Sequence, residues 1–203
     1  MDEAAEQRLR EQVKAELRRR MRALRRAMPQ AACAARSAAL CERLAQLPEV
    51  VHARVLIGYT AFRKEADAAA VLDEAAAAGK TVGLVRVEAD GQLGLHAHRE
   101  ADALVENAHG ILEPAASAPR IEPDAVDVIL VPALAVDTRA QRIGYGGGYY
   151  DRLLPRLPRA FKIVLAYDFQ LLAEMPDTPG DAPADCVVTD RRVLRVSAPG
   201  AND

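Results

Sequence analysis

Leu9, Val13, Leu17, Met21, Leu24 and Met28 recur every three or four residues, and the positions between them are polar or alanine. This spacing predicts an amphipathic helix over residues 6–28, closed by Pro29. A second helix is predicted over 30–47, ending near Pro48. From Arg54 the pattern changes. RVLIGYT (54–60) is a nearly continuous apolar run, read as a buried strand. The alanine-rich stretch 66–79 reads as a helix with Gly79 as its stop, and TVGLVRV (81–87) as a second strand. Strand, helix, strand in that order predicts a parallel crossover unit. Residues 88–125 carry Gly91, Gly94, Pro114, Pro119 and Pro123 and read as less regular. VDVILVP (126–132) is a strongly apolar strand. Tyr149–Leu154 starts a helix that Pro155 and Pro158 cut short, and FKIVLAYD (161–168) and CVVT (186–189) are further strands. The whole order predicts an α/β domain over residues 1–195 with a mostly parallel sheet, on which the helices of 1–48 pack. The end of the chain, 196–203, containing SAPGAND, is expected to be disordered.

Composition narrows the class. The chain has 203 residues, half of them apolar, enough for one sizeable core. A formal charge of −2 gives no reason to expect nucleic acid or a membrane as the main partner. The three cysteines, Cys33, Cys41 and Cys186, have no paired spacing, which fits a reduced, cytoplasmic protein. The N-terminus is too charged for the apolar core of a signal peptide. Charge is nonetheless concentrated locally. The first helix carries Arg8, Arg10, Lys14, Arg18, Arg19, Arg20, Arg22, Arg25 and Arg26. Most of these read as a solvated face. A nucleic-acid or membrane contact is the alternative, and so is a polyanionic ligand reached by Lys14 and Arg18, which share a face at four-residue spacing.

The stretch RIGYGGGYYDR (142–152) holds four glycines and three of the five tyrosines of the chain. Glycines between a strand and a helix let backbone N–H groups approach phosphate oxygens, so Gly144, Gly146, Gly147 and Gly148 form a candidate phosphate cradle; a plain surface turn is the alternative. The P-loop pattern G-x-x-x-x-G-K-S/T fails here. The dinucleotide pattern G-x-G-x-x-G also fails, because Tyr149 stands at its last glycine. Asp168 could imitate the ribose-binding acid of that class and keeps it as a rival. A carboxylate beside phosphates needs a cation between them, which makes Asp151 a candidate Mg²⁺ ligand, with Asp181 or Asp185 as the second. His96 and His98 form an H-x-H with no third ligand in frame and read as a surface pair.

VILVPALAVDTRAQRIGYGGGYYDRLL resembles the signature of the 5-formyltetrahydrofolate cyclo-ligase family. Weaker similarities keep the same order along residues 10–190: Lys14, Leu17 and Arg18, then GYTAFRKEAD, NAHGILEP and AYDFQ, then the aspartates before VVT. The resemblance implies a three-layer α/β/α fold like that of the CoA-transferase and sugar-isomerase superfamily, preceded by an N-terminal helical pair. It implies an ATP- and Mg²⁺-dependent closure of 5-formyltetrahydrofolate to 5,10-methenyltetrahydrofolate, with ADP and phosphate released through an iminium phosphate; a monomer is expected. It also implies roles. Lys14 and Arg18 would reach ATP, as would Arg142, Ile143, Gly144, Tyr145, Gly146, Gly147, Gly148, Tyr149 and Tyr150. The folate would meet Thr60, Glu65 and the 145–149 part of the loop. Asp151 and Asp185 would hold Mg²⁺, and no general acid or base is implied. The chain departs from the family pattern at Val136, at Arg139-Ala140 in a turn usually containing glycine, at Tyr145, and at Gly147, where some members carry Lys.

Overall fold

The computed structural model describes residues 3–99 and 101–196. The expected disorder of SAPGAND concerns residues outside these. Val196, the first residue of the expected tail, is tied down by its N–H to the Asp185 carbonyl, 3.0 Å.

Helices α1 (Glu3–Ala27) and α2 (Gln30–Leu44) form the predicted pair, broken at Pro29. A short α3 (Pro48–His52) leads to β1 (Val55–Gly58). The crossover helix α4 (Ala69–Ala77) is shorter than its alanine content suggests and returns the chain to β2 (Thr81–Val87), parallel to β1. The stretch read as irregular contains three strands. β3 (Leu93–Ala97) pairs antiparallel with β2, while β4 (Leu104–Glu106) and β5 (Leu112–Pro114) make a separate hairpin. Then follow β6 (Val128–Pro132), a small hairpin of β7 (Ala135–Asp137) and β8 (Arg142–Ile143), α5 (Tyr149–Leu153), and β9 (Phe161–Leu165). β10 (Leu171–Leu172), β11 (Cys186–Val188) and β12 (Val193–Arg195) complete the order.

The main sheet runs β12-β11-β9-β6-β1-β2-β3, parallel except for its two edge strands. Its central strands are buried on both faces, which is why they read as unbroken apolar runs. The pleat divides them cleanly. Leu56, Val128, Leu130, Ile163, Leu165, Cys186 and Val188 face one core, covered by α2, α3 and α4. Ile57, Ile129, Val131, Val164 and Val187 face the other, closed by Leu153, Leu154 and Leu157. The result is the expected three-layer arrangement.

From β1 the chain steps to β2 on one side and, after β3–β5, returns to β6 on the other side of β1. A crevice opens at such a reversal, outside the carboxyl ends of the strands. The residues that leave β1 and β6 there are Tyr59 and Thr60, and Ala133 and Leu134.

α1 does not pack as its apolar stripe suggests. Leu9, Val13 and Leu24 are exposed, and only Met21 of the stripe is fully buried, against Leu134, Ala135, Ile143 and Met175. The face turned inward carries Lys14, Met21 and Arg25, with both cations buried. The helix is thus rotated to deliver charge to the crevice rather than to bury all of its leucines.

Candidate active site

A cavity of about 730 Å³ occupies the crevice. Its walls come from α1, the ends of β1, β2 and β6, the β4–β5 hairpin and the glycine loop 144–148. Lys14, Arg18, Thr60, Glu65, Arg142, Ile143, Gly144, Tyr145, Gly146, Gly147, Gly148, Tyr149, Tyr150 and Asp151 all border it. Asp185 does not. It sits at the opposite, amino end of the sheet, where its carboxylate accepts the Lys162 N–H at 2.8 Å and its own N–H reaches the Lys162 carbonyl. The acidic residue that does border the cavity is Asp181. Asp168 is also occupied elsewhere, by Arg192 at 2.8 and 2.9 Å and by the Thr189 hydroxyl. His96 is completely buried rather than on the surface. It lies between the Ala118 carbonyl and Glu88, which Arg120 also holds.

One half of the cavity is cationic. Lys14 donates to Thr178 Oγ1 at 2.7 Å and to Asp181. Arg142 donates to Asp151 Oδ1 at 2.9 Å and to the Ala182 carbonyl. Burial lowers the Arg142 pKa, and the neighbouring Asp151 counters it. Arg18 differs from these. It forms no ion pair among the described residues and makes one side-chain hydrogen bond, Nε to the Gly144 carbonyl at 3.1 Å. Its guanidinium lies beside Gly146, whose φ of +108° suits glycine alone. The N–H groups of Gly146, Gly147 and Gly148 have no acceptor among the described residues. Unsatisfied backbone donors next to an unpaired guanidinium form a site for an anion. α5 has only five residues, so its dipole adds little; the side-chain cations and loop N–H groups carry the positive field. Gly147 is sterically fixed. A Cβ there would stand 2.6 Å from the Tyr149 ring, which itself lies against Arg152.

The other half is mostly apolar and holds two buried carboxylates, Glu65 and Glu113. Val85, Val87, Leu93, Ile111 and Leu112 line it, with Tyr59 and Thr60. Glu65 is buried; its Oε2 accepts the Phe62 N–H at 3.1 Å. Burial pushes its carboxyl up to about 7, although Arg25 Nη1, 3.7 Å away, works in the opposite direction. Burial wins because the ion pair is longer than a hydrogen bond, so it only partly replaces lost water. Tyr150 is likewise pushed up by burial and by the Glu65 charge, with Arg142 over its ring at 5.9 Å. The β4–β5 hairpin is fastened over this half by Glu113, buried between the Val87 N–H, Asn107 Nδ2 at 2.9 Å and Arg86 at 3.1 Å.

Two placements were not expected from the sequence: Asp181 rather than Asp185 borders the cavity, and Arg25 lies buried behind its wall. Arg25 had a signal. It lies eleven residues beyond Lys14 and seven beyond Arg18, which keeps all three on one helical face.

The sequence profile of the 5-formyltetrahydrofolate cyclo-ligase family matches residues 10–190. The chain belongs to the 5-formyltetrahydrofolate cyclo-ligase family. It is 32% identical over 157 residues to the 5-formyltetrahydrofolate cyclo-ligase of Escherichia coli K12, covering 74% of this chain and 86% of that protein. A probable cyclo-ligase of Schizosaccharomyces pombe is 26% identical over 175 residues, covering 78% and 86%. The structure of Aquifex aeolicus 5,10-methenyltetrahydrofolate synthetase superposes with a TM-score of 0.83 at 30% identity, covering 94% of this chain and 96% of that one. The Mycoplasma pneumoniae synthetase, 21% identical with a TM-score of 0.69, shares the fold. Membership of the cyclo-ligase family makes this chain a ligase.

Proposed function

We infer that this cyclo-ligase closes 5-formyltetrahydrofolate to 5,10-methenyltetrahydrofolate, using ATP and releasing ADP and phosphate. The observation that supports it most is the division of one cavity into two halves. One is mostly apolar around the buried Glu65 carboxylate, with the second buried carboxylate, Glu113, already held by Val87, Asn107 and Arg86, and the other is a cationic glycine loop with Arg18 unpaired. A pterin is flat, largely apolar on its faces and carries N–H donors on one edge, which a carboxylate receives in pairs. A nucleotide brings the phosphates that the free loop N–H groups and Arg18 lack.

Placing the two ligands in adjoining halves brings the γ-phosphate to the formyl oxygen. Phosphorylation of that oxygen turns a poor leaving group into phosphate. N10 then attacks the formyl carbon and the ring closes; as the C–O bond breaks, the departing phosphate carries away that bond's electron pair and takes the N10 proton. This chemistry depends on alignment and on neutralising charge, so the chain needs no acid or base of its own beside the reacting atoms. Lys14, Arg18 and Arg142 supply fixed positive charge. Tyr145 and Tyr149 border the loop as flat walls.

Among the described residues no group of three or more His, Cys, Asp or Glu side chains could cage a metal by itself. Asp151 and Asp181 do fit an ion that arrives with a nucleotide. Each has one carboxylate oxygen engaged and the other without a hydrogen bond, and the N–H of Ala182, next to Asp181, approaches Asp151 at 3.4 Å. Mg²⁺ takes one or two carboxylates together with phosphate oxygens. Bound there, it would supply neutralisation of phosphate charge.

The test is direct. Purified protein is mixed with ATP, Mg²⁺ and 5-formyltetrahydrofolate, and the ultraviolet absorbance of the methenyl product is followed. ATP-dependent product supports the reading; folded protein that forms none refutes it.

A further inference from the structure

Arg25 stands behind the cavity wall and touches both halves of it. A guanidinium has five N–H donors in one plane, and here they face five acceptors. Nε donates to the Arg63 carbonyl at 3.2 Å, and Nη1 to the Ala133 carbonyl at 3.4 Å. Nη1 also faces Glu65 Oε1 at 3.7 Å. Nη2 donates to the Phe62 carbonyl at 3.3 Å and to the Tyr145 hydroxyl. One buried side chain thus joins the segment carrying Glu65, the end of β6, and the glycine loop.

The segment it holds is conformationally unusual. Arg63 and Lys64 are consecutive non-glycine residues with φ of 47° and 62°. Such backbone persists only where surrounding contacts impose it. Those contacts come from α1: Arg25 holds the carbonyls of Phe62 and Arg63, and Lys64 Nζ donates to the carbonyls of Arg26 and Met28. On the other side Tyr145 is partly exposed and next to Gly146, in a loop whose N–H groups have no acceptor among the described residues. The loop is therefore the side that a phosphate would order. A planar guanidinium cannot follow Tyr145 without turning against its other acceptors.

We propose that Arg25 is a positioning residue that couples the two halves of the site: a phosphate-bearing ligand that orders the glycine loop also fixes, through the Tyr145 hydroxyl and Arg25, the Glu65 carboxylate that receives the pterin. The proposal rests on the reading of the cavity as a joint folate and nucleotide site. Whichever ligand binds second finds the shared segments already ordered, so each tightens the other by the same factor.

The experiment measures four dissociation constants for each protein: 5-formyltetrahydrofolate with and without a non-hydrolysable ATP analogue and Mg²⁺, and the analogue with and without the folate. Wild-type protein should show at least about fivefold tightening, equal in both orders. Tyr145→Phe keeps the ring and removes the hydroxyl, and its ratio should fall to within about twofold of one. Arg25→Lys keeps a charge but offers three donors in place of five, and should lose the coupling as well. The ratio is taken within each variant, so weaker binding of one ligand does not move it. Both ligands binding the wild type independently, or full coupling retained in Tyr145→Phe, overturns this inference alone. Wild-type protein that binds neither ligand overturns the functional reading and this inference with it.

Discussion

The Glu65 carboxyl has two supports, the Phe62 N–H and Arg25, and still rises to about 7 because it is buried. Its folded pKa is raised above the unfolded value, so the native state holds a proton that the unfolded chain has lost. Its contribution to stability is full below the ordinary carboxylate value of 4.5 and is lost as pH rises towards 7. A shift of this size corresponds to roughly 3 kcal/mol. Glu65→Gln should therefore flatten that part of the stability profile, which denaturant titrations at pH 4.5 to 8 will read. Folate binding runs the other way, since the pterin edge needs the carboxylate. KM for folate should rise by up to about tenfold per pH unit below 7 in the wild type, and the Gln variant should lose this slope with KM about 100-fold higher. A KM that does not vary with pH would remove Glu65 from the binding site. Arg18 offers a contrast. It makes a single side-chain hydrogen bond, so Arg18→Met should cost under about 1 kcal/mol of stability. It should raise KM for ATP roughly 10- to 100-fold, because a charge-assisted contact to phosphate is lost.

At the scale of elements, the β4–β5 hairpin is tied to β2 by the buried Glu113 carboxylate and by Arg86, which also donates to the Pro114 carbonyl at 2.6 Å. Glu113→Gln keeps the shape but leaves Arg86 without its ion pair, at a cost of about 2–4 kcal/mol. The hairpin walls the apolar half of the cavity, so KM for folate should rise more than KM for ATP; an equal effect on both would mean that the hairpin does not serve one half alone. The β7–β8 turn shows how the chain manages a departure from its family's pattern. Ala140 adopts a φ of 56°, where glycine is the easier residue, and Asp137 holds it by accepting the N–H groups of Arg139 and Gln141 at 2.9 and 3.0 Å. The large elements were legible because buried parallel strands write themselves as apolar runs. β3, β4 and β5 were not, since their order comes from pairing partners and from Glu113 rather than from local pattern. The site was legible where a motif is contiguous, as from Arg142 to Asp151. Asp181 and Asp185 are equally plausible in one dimension; only the course of the chain across the sheet, with Asp185 capping the start of β9, separates them. Arg25 was hidden among eight other cations because its burial depends on how α1 is rotated.

For the whole molecule, ligand binding should appear as stabilisation. Nucleotide with Mg²⁺ at about 100 times its Kd should add roughly 2.7 kcal/mol, or about 5–10 °C of Tm for a chain of this size. Chelating the ion should remove most of that shift if Asp151 and Asp181 share it with the phosphates; a shift indifferent to chelator would exclude them as its holders. The way α1 is attached sets a further expectation. Neither of the two large cores includes a side chain from it, and it is secured by the small cluster around Met21 and by the polar contacts of Lys14, Arg18 and Arg25. Such a helix can open without the sheet. Its amide protons should exchange with solvent well before those of β6 and β9, and bound ligands should slow them selectively. The helix that brings the cations to the crevice would then be part of how substrates are admitted.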